Sequence, residues 1–186
     1  MVKQTKVLYL EGYLWDSPAA KRAFIAAAQA CRESGGQVAL SLSDGFCVDR
    51  HRDSFLELVQ GHVDVLFANE VEIKSLYQTD DFGHALEQVK GCCSVIAITR
   101  GGDGSVVLHG DERFEIGVFD LGDLVDTTGA GDCFFGYFLA ELAVGVAVPQ
   151  ALRLASAAGA LHVTRQGAGA VIPDRADVEA FLATAT

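Results

Sequence analysis

Basic residues are few in this chain: 14 Lys and Arg stand against 25 Asp and Glu over 186 residues, a formal charge of −11. No basic stripe offsets that balance, so nucleic acid is a poor candidate partner. No apolar run approaches the roughly 20 residues that cross a bilayer. The opening Met1-Val2-Lys3-Gln4-Thr5-Lys6 has no signal h-region, and Val7–Leu10 reads as a strand. Five cysteines form no Cys-x-x-Cys pair, which argues against a disulfide framework or a zinc knuckle and for reduced thiols in a cytoplasm. Charged residues make up only 21% and hydrophobic ones 50%, so disorder is excluded and a core can be buried. Repeats, low-complexity segments and linkers are missing as well, and a single domain over 1–186 is expected.

What is present is alternation. Strand-length apolar runs at Val7–Leu10, Val38–Leu42, Val63–Ala68 and Val95–Thr99 are separated by helical patterns. The helices are expected at Ala19–Glu33, around Asp53–Gln60, at Val71–Tyr77 and at Phe82–Lys90. Ser105–Leu108 and Arg113–Val118 read as two shorter strands, and Ala130–Val144, Pro149–Val163 and Ala176–Ala183 as closing helices. Nearly uniform apolar strands between helices imply an α/β protein with a parallel sheet covered on both faces. Ligands in such sheets sit beyond the carboxyl ends of the strands, so the residues that follow each strand carry the chemistry.

The strongest signal is Asp126-Thr127-Thr128-Gly129-Ala130-Gly131-Asp132, which runs into an apolar helix. Gly129, Ala130 and Gly131 leave their backbone open to close approach at a helix N-terminus, where unpaired N–H groups and the dipole favour an anion such as phosphate. The apolar helix is expected to be buried, with Asp132 a carboxylate near the interior beside an anion site. That pairing suits phosphoryl transfer, the Asp taking the proton of an attacking hydroxyl. The blander reading of Asp132 is a carboxylate serving the helix dipole. Neither a G-x-x-x-x-G-K-[ST] loop nor a G-x-G-x-x-G loop after a strand is present. His51-Arg52-Asp53 and Asp81-Phe82-Gly83 imitate protein-kinase motifs by coincidence, since Leu58 stands where the catalytic loop needs Asn.

The Asp126–Asp132 stretch resembles the C-terminal signature of the PfkB (ribokinase-like) carbohydrate and nucleoside kinases, D-T-x-G-A-G-D, at every defined position. The resemblance implies a ribokinase-like three-layer αβα sandwich with a mostly parallel central sheet. It implies ATP as co-substrate, Asp132 as base and Gly129, Ala130 and Gly131 as the anion hole. Asn69 and Glu72 resemble the family's N-x-x-E motif, which organises Mg²⁺ through water; as residues they are equally a capping box. Thr99, Gly101, Gly102 and Gly104 resemble the loop that lines the nucleotide, or else form a plain turn between strands. Thr128 and Ser156 join the ATP site on the same resemblance, although the small residues around Ser156 also suit tight helix packing. Gly167-Ala168-Gly169-Ala170 with Asp126 is similar to a monovalent-cation loop, K⁺ being the expected ion. Tyr9–Asp16 and Leu42–Val48 look most like the bacterial adenosine-kinase-like branch.

The resemblance covers the chain only as the C-terminal part of such a kinase. The N-terminal strands, the Gly-Gly substrate motif with its acidic residue and the β lid have no counterpart here. The strand Val7–Leu10 is then expected to present an edge or apolar face that favours a homo-oligomer or a partner supplying the missing N-terminal half. Three functions stay open: a kinase for a nucleoside or sugar hydroxyl, a nucleotide-binding fragment without turnover, and an interaction protein that kept the fold alone.

Overall fold

The computed structural model describes residues 2–122, 124–169 and 172–185. Six strands, β1 (Val7–Glu11), β2 (Gln37–Ser41), β3 (Val65–Asn69), β4 (Val95–Thr99), β5 (Ser105–His109) and β6 (Glu112–Ile116), form one sheet in the order in which they occur. Seven α-helices lie among the described residues: α1 (Pro18–Arg32), α2 (Gly45–His62), α3 (Glu70–Leu76), α4 (Phe82–Val89), α5 (Ala130–Ala143), α6 (Val148–His162) and α7 (Arg175–Thr184). β1 pairs with β2 and β2 with β3 in parallel, Val7 opposite Gln37 and Ala39 opposite Val65. β5 and β6 are joined by Gly110-Asp111 alone, a connection that only antiparallel neighbours allow. The sheet is thus mostly parallel and the α/β expectation holds. By contact the chain divides into two compact units, Met1–Ile98 with Leu108–Arg113, and Thr99–Val107 with Phe114–Thr186.

In the first unit the burial of the strands explains their composition. Val38, Ala39, Leu40, Leu66, Phe67, Ala68, Ala97 and Ile98 are wholly buried, as strands covered on both faces must be. β1 differs, with only Leu10 buried among its five residues. The first helix starts where the sequence puts it: Ser17 Oγ accepts the Ala20 N–H at 3.1 Å, Pro18 fills the first turn, and Gly35 at φ +80° ends the approach to β2. Between β1 and α1 the chain makes a 3₁₀ turn, Gly12–Asp16, that buries Trp15. Its indole donates to Ser54 Oγ at 2.9 Å and lies against Phe24 and Phe55, with Lys21 over the ring. The turn also brings Gly12 against the end of β2, where a Cβ would lie 2.3 Å from the Leu42 carbonyl oxygen, so only glycine fits.

The largest departure from expectation is at the start of α2. α2 begins at Gly45, capped by Asp44, whereas a helix was expected only around Asp53–Gln60. The helix is kinked at His51 (φ −129°, ψ 24°), and the glycine at its start hides the first two turns from a propensity reading.

In the second unit, α5 and α6 lie against each other, and α7 closes a cluster of Cys133, Leu154, Ala157, Ala158 and Val178. At Gly159 the helices are close but not tight: a Cβ there would meet the Ala130 carbonyl and Phe134 at an ordinary contact distance of 3.8 Å. Glu141 of α5, itself buried, receives the Arg175 guanidinium of α7, and Arg175 also meets Glu179. α5 was expected to be buried on nearly every side. Instead Asp132, Gly136, Ala140 and Ala143 form one exposed stripe, because small residues count as apolar in a sequence yet tolerate solvent. Asp132 is accordingly exposed and not near the interior.

Candidate active site

At the carboxyl end of β3, Asn69 caps α3. Its Oδ1 accepts the Glu72 N–H at 2.8 Å, while the Glu72 carboxylate accepts the Asn69 backbone N–H at 2.9 Å and the Asn69 Nδ2–H at 2.7 Å. This is a reciprocal capping box closed by a further side-chain bond. Glu72 is buried and Asn69 exposed, so the carboxylate that the sequence offered to a metal is in the structure turned to its own cap. One carboxylate and one amide oxygen are oxygen donors of the kind a hard cation takes through water. No group of three or more His, Cys, Asp or Glu poised for a metal occurs among the described residues.

The loop that leaves β4 is tight. Thr99 ends the strand, the Arg100 N–H donates to the Gly104 carbonyl at 2.8 Å, and Gly101–Asp103 form one 3₁₀ turn. Gly101 (φ +56°) and Gly102 have no atom within 4 Å of a would-be Cβ, so their backbone is open. Gly104 is the opposite case, at φ +85° with a would-be Cβ 2.0 Å from the Ile116 carbonyl oxygen. Ser156 on α6 has its hydroxyl 3.3 Å from that of Ser105, the first residue of β5.

Asp126, Thr128 and the start of α5 are brought together. Asp126 Oδ1 accepts the Thr128 N–H and Oδ2 the Gly167 N–H, both at 2.9 Å, which clasps the loop before α5 to the loop after α6. Those bonds, the Thr128 ones first, hold the Asp126 carboxyl down at about 2. The Asp126 N–H and the Val125 N–H share the Val163 carbonyl. Gly167, Ala168 and Gly169 follow, and Ala170, the last residue of the expected cation loop, lies outside the described residues. Gly129 is the cap residue of α5 in the left-handed conformation, φ +78°, and no side chain caps the helix. Of the N–H groups there, that of Ala130 turns to the Thr127 carbonyl at 3.1 Å. Asp132 stands in the first turn, exposed, with no hydrogen bond or ion pair among the described residues. Next to it the buried Cys133 thiol is pushed up to about 11 by burial and by Asp132, so it is not a nucleophile.

Sequence reasoning did not find His162. It ends α6, is wholly buried, and its Nε2–H donates to the Thr128 carbonyl at 2.8 Å. A lone histidine 30 positions after the motif carries no local pattern, and only the packing of α6 on α5 reveals the contact.

A mostly parallel α/β sheet, a glycine-rich loop that opens α5 and an exposed carboxylate in that helix's first turn are the features the structure shows. The comparisons give the family. The family model described as pfkB family carbohydrate kinase matches residues 1–175, and the chain belongs to that family. The 2-dehydro-3-deoxygalactonokinase of Haloferax volcanii is 37% identical over 119 residues, 62% of this chain and 37% of that protein. The adenosine kinase of Sinorhizobium meliloti superposes with a TM-score of 0.89 at 40% identity, covering 99% of this chain and 56% of that one. The Arabidopsis thaliana ribokinase solved with ribose and ATP gives 0.80 at 25% identity, over 97% and 57%. The chain therefore spans little more than half the length of these structures and less of the curated relative.

Proposed function

We propose that the chain carries the catalytic part of an ATP-dependent kinase that phosphorylates a hydroxyl of a nucleoside or sugar, in the manner of an adenosine kinase. The observation that carries this reading is the uncapped, glycine-lined start of α5 with Asp132 exposed and unpaired in its first turn. The N–H groups of Gly129–Gly131 would hold a phosphate, and Asp132 would accept the proton of the attacking hydroxyl. Thr99, Gly101, Gly102, Gly104, Thr128 and Ser156 would line the nucleotide. Asn69 and Glu72 would hold Mg²⁺ through water; when bound, the ion neutralises phosphate charge. Asp126, with K⁺ nearby, would steady the loop. The relatives with ATP, adenosine or sugar in their names support the substrate class.

Calorimetric titration of Mg·ATP, alone and then with adenosine, tests the reading together with Asp132→Asn. The expected result is nucleotide affinity within about twofold of the unaltered chain and turnover lower by roughly 10²–10⁴-fold, the effect of losing a general acid–base group. Equal loss of binding and turnover would make Asp132 structural. The chain's partial span favours a second reading, a nucleotide-binding fragment whose acceptor site is contributed elsewhere; ATP binding without adenosine-dependent ADP release is its signature.

A further inference from the structure

We propose that His162 is a positioning residue, which fixes the direction of the Thr128–Gly129 peptide and so aims the Gly129 N–H at the bound anion. The inference rests on the reading of Gly129–Gly131 as the anion hole. Three observations carry it. First, a carbonyl only accepts, so the 2.8 Å contact requires the proton on Nε2 and defines a directed bond from α6 to the Thr128 carbonyl. Second, the peptide is trans, so its C=O and N–H point in opposite directions; holding the carbonyl toward His162 turns the Gly129 N–H away from α6. Third, Gly129 is at φ +78°, and glycine takes either sign of φ with equal ease. A flip of this one peptide would put the carbonyl where the N–H stands and repel an anion. Asp126 restrains the Thr128 N–H, which belongs to the preceding peptide, so it does not prevent that flip.

The other imidazole nitrogen strengthens the case. Nδ1 is fully buried and has no hydrogen-bond partner. A histidine kept only to fill the core would be better replaced by an apolar side chain, which leaves no polar atom unpaired. The bond that the imidazole does make falls on the peptide between Thr128 and Gly129, where the loop turns into α5.

The test compares the 186-residue chain with His162→Leu, which removes the donor, and His162→Gln, whose amide N–H reaches about as far as Nε2. Titrations use Mg·ATP and, as a ligand without phosphates, adenosine. The expected result for His162→Leu is a roughly tenfold weaker Mg·ATP affinity, the equivalent of one charge-assisted hydrogen bond. Adenosine affinity should be unchanged, and His162→Gln should restore most of the loss. An Mg·ATP affinity in His162→Leu within twofold of the unaltered chain overturns the proposal, as does equal weakening for both ligands, which marks a general packing defect. Failure of the anion-hole reading is seen separately: in the unaltered chain Mg·ATP would then leave the Gly129, Ala130 and Gly131 amide resonances in place. In that event the Gly129 amide resonance of ligand-free His162→Leu decides the positioning role, and its failure to move overturns it. Should His162→Leu not fold, the unaltered chain decides: a slowly exchanging Nε2–H coupled to the Thr128 carbonyl supports the proposal, and a proton on Nδ1 instead sinks it.

Discussion

Replacing Asn69 by alanine is the sharpest perturbation of the first unit, because its effect can be worked out bond by bond. The backbone N–H of residue 69 continues to donate to Glu72, so one leg of the box survives. Two bonds are lost: the one from the Glu72 N–H to Asn69 Oδ1, and the one from Asn69 Nδ2 to the Glu72 carboxylate. An N-cap of this kind contributes about 1 kcal/mol. A hydrogen bond to a charged group contributes about 2 kcal/mol, and Glu72, at 5% exposure, cannot recover it from bulk water. The expected loss is about 3 kcal/mol, or roughly 6–12 °C in Tm for a chain of this size. Trp15 is the only tryptophan and lies in the same unit, so its fluorescence in urea reports the relevant transition. Asn69→Ser keeps an acceptor for the Glu72 N–H and should lose only about 2 kcal/mol. A destabilisation by Asn69→Ala below about 0.5 kcal/mol, the scatter of ordinary surface changes, would refute the capping account.

Acid should release the Asp126 clasp late. Its folded-state carboxyl lies at about 2, below the ordinary 3.8, so the stabilisation is complete above pH 4 and fades as pH falls from 4 toward 2. The Thr128 and Gly167 amide resonances, followed in an acid titration, should share a midpoint near 2; a midpoint near 4 would mean the carboxylate is not bonded as described. Gly104→Ala should destabilise by about 3 kcal/mol or more, from left-handed strain plus a backbone collision, whereas Gly101→Ala, with open space around it, should lose only about 1 kcal/mol. Thermal unfolding compares the two, and equal effects would remove the collision from the account.

Much of this molecule could be read before its coordinates. The uniform apolar run Val95–Thr99 places β4, and the 3.6-residue period places α1, α4, α5 and α6 within a residue or so at each end, since apolar spacing and caps are local properties. The start of α2 could not be read, because Gly45 and the kink at His51 break the pattern that defines a helix. The exposure of Asp132 was misjudged for a related reason: alanine and glycine score as apolar without being obliged to hide. At the candidate site, Asp126-Thr127-Thr128-Gly129-Ala130-Gly131-Asp132 announced itself because the loop is continuous in sequence. His162 and the bond from Gly167 to Asp126 did not, because they are long-range contacts with no spacing rule behind them.

The sheet order has a consequence for how the first unit is made. From β1 to β4 each strand lies beside the one synthesised just before it, and the connections run through a single helix or a short pair of helices. Loop closure at each step is short, so the entropy lost per added strand is small and similar from one step to the next. A chain emerging N-terminus first finds the docking edge for every new strand already formed. Growth of the parallel core can therefore proceed by accretion, without waiting for a distant segment to arrive and be threaded between neighbours.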